Sequence, residues 1–166
     1  MQSKLRSSSA TGPDEQLAGF IAKFDSPMAR LIRLIRARLR KRMPAANELV
    51  YDNYNFFVIG YCSTERSSDC IVSLVANAKG IALSFYWGST LPDPARILLG
   101  SGNQNRFIRL AKAEDLAKPE VEALIAAAIG QGKTPLAEQG RGHLIIRAIA
   151  AKQRPRRVAA KPVSAE

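Results

Sequence analysis

The densest set of anion-binding groups in the chain is the run Gly100-Ser101-Gly102-Asn103-Gln104-Asn105-Arg106. Glycines let backbone N–H groups approach a phosphate closely, and a guanidinium adds charge and forked donors. The lysine and following helix of a P-loop are missing, and a tight turn into a strand draws on the same residue types. Tyr54 and Trp87, with Tyr51 and Tyr86, fall at strand ends where they can wall a pocket beside Arg106, Asn103 and Asn53. A small-molecule pocket combines apolar walls with a few convergent polar groups, and rings that merely close the end of a core are the plainer use of the same aromatics. The expected ligand site is therefore Tyr54, Trp87, Gly100, Gly102, Asn103 and Arg106, for an unspecified small molecule.

Other chemistries find less support. Ser84, Ser89 and Ser101 lack a G-x-S-x-G setting, and the sole histidine, His143, is distant in sequence from all three. Glu48, Asp52, Asp69, Asp93, Glu114, Asp115, Glu120 and Glu122 are scattered, with no ligand spacing on a shared face, so no metal and no cofactor are expected. Cys62 and Cys70 flank the loop Ser63 to Asp69 and can face each other across a hairpin. They read as small buried hydrophobes, or else as a redox pair. A binding or chaperone-like domain is expected rather than an enzyme, the alternative being a small enzyme built around Tyr54, Trp87 and Arg106.

The net charge of +11 is unevenly placed. Met28 to Arg42 carries +7 and residues 133–166 carry +6, so the rest of the chain is close to neutral and slightly acidic. Arg30, Arg33, Arg36, Arg40, Arg154, Arg156 and Arg157 form the candidate nucleic-acid surface, since several arginine–phosphate contacts give weak, salt-sensitive affinity without sequence specificity. No zinc-finger, helix-turn-helix or RNP signature accompanies them. The competing uses are a solvated helix face, or pairing with acids of a protein partner, including a second copy of this chain. No apolar run is long enough to cross a bilayer, and MQSKLRSSSATGP has no apolar signal region, so a cytoplasmic location without a membrane partner is expected.

The elements that must position these groups follow from periodicity. Residues 1–13 are polar and serine-rich and are expected to be disordered. Asp14 or Glu15 opens a first helix with Leu17, Phe20, Ile21 and Phe24 on its buried stripe, and Ser26-Pro27 starts a second. On that helix Met28, Leu31, Ile32, Ile35 and Leu39 share one face, the arginines lie opposite, and Met43-Pro44 ends it. Strands are expected over Leu49–Tyr51, Phe56–Tyr61, Cys70–Ala76, Ile81–Phe85 and Arg106–Leu110, with Cys70–Ala76 covered on both sides. Asp93-Pro94 caps a short helix through Leu98 and Leu99, stopped by a left-handed Gly100. Pro119 begins the closing helix. These elements predict a single α+β domain over 14–132, an antiparallel sheet of four to five strands with helices on one face. Beyond it, 133–152 reads as an extension with a helix over His143–Lys152, and 153–166 as a basic disordered tail.

Gly88 to Arg109, with Leu91-Pro92-Asp93-Pro94, Leu98-Leu99-Gly100 and Gly102 to Arg106, resembles the bacterial YdhG-like family of domains of unknown function, which includes frataxin-like iron chaperones. The resemblance extends from about Glu15 to Ile129 and implies helices packed on one face of an antiparallel sheet, and iron handling as the activity. This chain departs from the family pattern at Leu99, Asn103 and Phe107, where an acid, a lysine and a histidine are usual. Iron binding of the frataxin kind would also need clustered surface acids, whereas the first long helix here is basic.

Overall fold

The computed structural model describes residues 11–160. Most of the expected disordered start lies outside them, but Pro13, its last residue, is the first of helix α1 (Pro13–Ala22), with Asp14 and Glu15 in the first turn where the helix dipole favours acids. Helix α2 (Ser26–Arg42) is capped by Asp25, not Ser26: the Asp25 carboxylate accepts from the Met28 N–H at 3.0 Å, leaving Ser26 and Pro27 as the first helical residues. Both helices turn a narrow apolar stripe inward, Leu17, Phe20 and Ile21 on the first and Ala29, Ile32, Ile35 and Leu39 on the second.

The chain then forms β1 (Asn47–Asp52), β2 (Phe57–Cys62), β3 (Cys70–Asn77), β4 (Gly80–Phe85) and β5 (Arg106–Leu110), followed by α3 (Pro119–Gln131) and β6 (Leu144–Ile149). The strands make one six-stranded sheet in the order β5-β4-β3-β2-β1-β6. Every pairing is antiparallel except β1 with β6, which is parallel. The architecture is thus a single α+β domain whose sheet is mixed and larger than the four to five antiparallel strands expected.

Two local expectations give way. The helix over His143–Lys152 is instead strand β6: the apolar run Leu144-Ile145-Ile146, with β-branched Ile145 and Ile146, fits a pleated surface, and its partner strand is remote in sequence, so no local signal announces it. Gly142 donates to Pro44 O at 2.9 Å, and a Cβ there would overlap the Ala46 carbonyl, so glycine is required for this lead-in to reach β1. Between Asp93 and Gly100 there is a turn rather than a helix. Asp93 does cap it, accepting from the Ile97 and Leu98 N–H groups at 3.0 and 2.9 Å, but the chain leaves the helical region at Arg96 (φ 54°) and runs on as a bridge from Leu99 to β5. Gly100 is left-handed, at φ 110°, as its placement predicts.

All three helices lie on one side of the sheet. There Val50, Phe57, Ile59, Val72, Leu74, Ile81, Leu83 and Phe85 meet Phe20, Phe24, Ile32, Ile35, Leu124 and Ile125 in one core. Strand β3, expected to be covered on both sides, alternates between buried and half-buried residues from Val72 onward, because the described residues form no second layer of helices. Among the described residues no helix is long and apolar enough to cross a membrane.

The described part of the tail is docked onto the body. Arg156, 4% exposed, donates to Asp52 Oδ1 at 2.9 Å and to the Asn53 carbonyl. Gln153 donates to the Asp52 carbonyl at 2.8 Å, and Arg157 reaches Lys23 O at 3.1 Å at the end of α1. Lys23 completes the shell of Asp52 with a 2.7 Å ion pair. Burial pushes the Asp52 carboxyl up, but the hydrogen bonds from Lys23, Gln153 and Arg156 outweigh it and hold Asp52 below the ordinary carboxylate range. A carboxyl depressed in the folded state contributes stability that is complete above its ordinary pKa of about 3.9 and is lost as pH falls through the lower folded value. Urea unfolding from pH 7 down to pH 2 is therefore expected to show a steeper acid loss in the native chain than in Asp52→Asn. Arg156→Ala, which strips a buried carboxylate of one partner, is expected to cost about 3 kcal/mol at pH 7.

Candidate functional site

Sheet pairing builds a second face away from the helices. Its residues are the alternates to the core: Leu49, Gly60, Ser73, Ser84 and Phe107 lie in one cross-strand row, and Tyr51, Val58, Val75, Ala82 and Arg109 in the next. The middle of both rows is short, and larger groups stand at the margins. Phe56, 43% exposed, stands just before β2, and Phe107 rises from β5.

The result is a groove of about 560 Å³ over Val75, Ala82 and Ser84, walled by Phe56 and Phe107 and edged by Arg109, Lys79, Asn77 and Asn105. No acid lines it. Arg109 lies 5.8 Å from the centre of the Phe107 ring, and among the described residues neither Arg109 nor Lys79 has an ion-pair partner. Ser84 Oγ donates to Asn105 Oδ1 at 2.7 Å, fixing the rim of the β5 lead-in against the floor. Chemically this is an apolar slot with two cations and amide groups at its edge, and among the described residues no histidine or carboxylate lines it beside the Ser84 hydroxyl.

The six residues expected to form a ligand site are spread out. Tyr54 lies in the bend between β1 and β2, at the same end of the sheet as the β3–β4 turn, whereas Trp87 follows β4 at the opposite end. Tyr54 carries Arg154, whose guanidinium lies 5.7 Å from its ring centre, so the tail occupies it. Trp87 stacks edge-on against Tyr86 at 5.1 Å and donates from Nε1 to Ser68 O at 3.1 Å. Gly100, Gly102, Asn103 and Arg106 do share one loop, but it folds onto its own arginine: Arg106 Nη1 donates to Gly102 O at 2.6 Å and to Asn105 O at 2.8 Å. Carbonyl oxygens converge there, the reverse of what an anion needs.

The arginines divide into two groups. Arg36 grips Glu48 with two parallel hydrogen bonds of 2.9 Å, Arg40 reaches the same carboxylate at 3.5 Å, and Tyr61 donates to it at 3.0 Å. Glu48 is buried, and burial together with the Glu48 charge pushes the Tyr61 phenol well up, so Tyr61 stays a neutral donor. Arg38 pairs with Glu114 at 3.5 Å and Arg42 with Glu122 at 2.8 Å. Arg156 is buried on Asp52, Arg154 covers Tyr54 and Arg157 ends α1, so most of the expected nucleic-acid surface is engaged within the domain. Arg30 and Arg33 stay exposed, with no acid partner among the described residues.

Sequence reasoning passed over Phe56, Lys79, Ala82, Phe107 and Arg109. A signal existed, because the alternation that marks Ile81, Leu83, Phe85, Ile108 and Leu110 as core assigns their neighbours to the other face. Among the described residues no group of three or more His, Cys, Asp or Glu side chains is placed to hold a metal ion. No family model matches this chain, and no curated protein or solved structure matches it either.

The two arginine groups should separate in unfolding experiments. Arg36→Ala strands the buried Glu48 carboxylate and is expected to cost about 3–5 kcal/mol, whereas Arg33→Ala should stay within about 0.5 kcal/mol of the native chain, both read from urea midpoints.

Proposed function

We propose that this domain binds, without chemically transforming, a small organic anion with an apolar body in the groove on the helix-free face. The observation that supports this reading is the combination of an apolar, small-residue floor with two cations, Arg109 and Lys79, that have no ion-pair partner among the described residues, none of which brings an acid into the lining. The volume of about 560 Å³ lies inside the range of about 300–1,000 Å³ usual for small-ligand pockets. An aromatic or aliphatic tail would lie over Ala82 and Val75 between Phe56 and Phe107, and a carboxylate would meet Arg109. Binding rather than catalysis is favoured because the lining pairs no nucleophile with a base, the Ser84 hydroxyl being hydrogen-bonded to an amide. The likeness of Gly88–Arg109 to YdhG-like domains is compatible with such a binding role but identifies no ligand.

A panel of aromatic and medium-chain carboxylates tested by thermal shift should contain members that raise the melting temperature by mass action, and matched amides should do less. Loss of a charge-assisted hydrogen bond in Arg109→Ala should weaken the best member on the order of tenfold. Ala82→Phe, which fills the half-buried groove floor on the face away from the core, should abolish the shift while leaving the unliganded melting temperature nearly unchanged. Equal shifts in Ala82→Phe and the native chain would place the ligand elsewhere, and turnover of a bound ligand would make the domain an enzyme.

A further inference from the structure

Cys62 and Cys70 are the only cysteines of the chain, and the β2–β3 register sets them opposite each other. The register shifts between Tyr61 and Cys62, a bulge that turns Cys70 to the same face as Cys62, and a disulfide bridges Cα atoms about 4.4–6.8 Å apart. Their side chains lie on the helix-free face beside Gly60, the one position in that row without a side chain. A Cβ at Gly60 would stand 3.3 Å from Cys70 Sγ and 3.7 Å from Cys62 Sγ, so both sulfurs converge on the same point. The structure holds them as free thiols, with Leu49, Tyr51, Tyr86 and Ile145 around them.

The two sulfurs are not equivalent. Ser73 Oγ lies 3.2 Å from Cys70 Sγ, and Cys70 also lines a pocket of about 340 Å³ with Arg66, Asp69, Trp87, Gln131 and Lys133. Cys62 is 1% exposed and does not line that pocket. Cys70 Sγ also donates to the Val72 carbonyl at 3.4 Å. Cys70, 7% exposed and lining the pocket, with the more deeply buried Cys62 opposite it on the neighbouring strand, is placed as an attacking cysteine with a resolving partner.

We propose that Cys62 and Cys70 form a dithiol redox site that a hydroperoxide, entering by the Arg66–Lys133 pocket, oxidises to an intrachain disulfide. Cys70 thiolate attacks one peroxide oxygen; the O–O bond breaks, a sulfenic acid forms on Cys70, and the other oxygen leaves as an alcohol, or as water from hydrogen peroxide, after taking up a proton. Cys62 then attacks the Cys70 sulfur, the S–S bond forms, the S–O bond breaks, and the second oxygen leaves as water with the Cys62 proton. Two electrons pass from the thiol pair to one peroxide, and an external dithiol reverses the change. The bond would close the loop Ser63–Asp69 at its base and join β2 to β3 covalently.

The test uses the full chain and hydrogen peroxide in slight molar excess, read by intact mass and by thiol counting in denaturant. The expected result is a monomer lighter by two hydrogens, with both thiols lost together and restored by dithiothreitol, and a melting temperature raised by the cross-link. Cys62→Ala should stop at a dimedone-trappable sulfenic acid on Cys70, and Cys70→Ala should lose its remaining thiol at least about tenfold more slowly than native Cys70 reacts. The proposal is overturned if the native chain gives sulfinic acid or intermolecular dimers in place of the internal bond, or if its thiols react no faster than global unfolding exposes them. Equal rates in the two alanine variants would also overturn it.

Discussion

Two carboxylates of β1, Glu48 and Asp52, are buried on the helix-facing side of the sheet, and the surrounding elements are placed so that neither is left uncompensated. They point the same way because they are four residues apart on a strand, flanking the apolar Val50. An unpaired charge in that position would cost several kcal/mol, so each needs cations within hydrogen-bonding distance. Glu48 draws Arg36 and Arg40 from α2, with Tyr61 filling a further lone pair. Asp52 draws Lys23 from the end of α1 and Arg156 from the C-terminal segment. The basicity of the chain is thus in good part internal: α2 is fastened to the sheet by its arginines, and the segment after β6 is fastened across the end of α1.

That fastening also decides which face is open. Helices, tail and cations crowd one side of the sheet, and β6, added in parallel beside β1, extends the sheet rather than covering it. On the other side the strands carry short residues in the centre and aromatic or cationic ones toward the margins, so the surface is concave where Ala82 and Ser84 lie between Phe56 and Phe107. Arg109 and Lys79 are the counterpart of the buried pairs: cations with no ion-pair partner among the described residues. An anionic ligand would complete there what Glu48 and Asp52 complete inside.

Much of this order is legible in the residues. Helical stripes such as Leu17, Phe20 and Ile21, proline at the first position of α3, and the alternation through Ile81, Leu83 and Phe85 depend on local geometry, and the structure reproduces them. What escapes depends on distant partners. Leu144-Ile145-Ile146 fits either a helix stripe or a strand, and only pairing with β1 selects the strand. Arg36 and Arg156 look like solvated charges until Glu48 and Asp52 are known to be buried beside them, which an alternating strand with acids at both ends does not announce. The same holds for the site: Tyr54 and Trp87 sit at strand ends as expected, but the strand pairing puts them at opposite ends of the sheet, whereas Phe56, Ala82 and Arg109 converge only through the register.

The most direct measurement is a backbone amide chemical-shift map recorded while the native chain is titrated with the best-binding carboxylate. The account predicts perturbations concentrated at Phe56, Val75, Ala82, Ser84, Phe107 and Arg109, with the arginine-bearing face of α2 silent. Perturbations centred instead on Trp87 and the Gly100–Arg106 loop, with Ala82 and Arg109 unmoved, would contradict it.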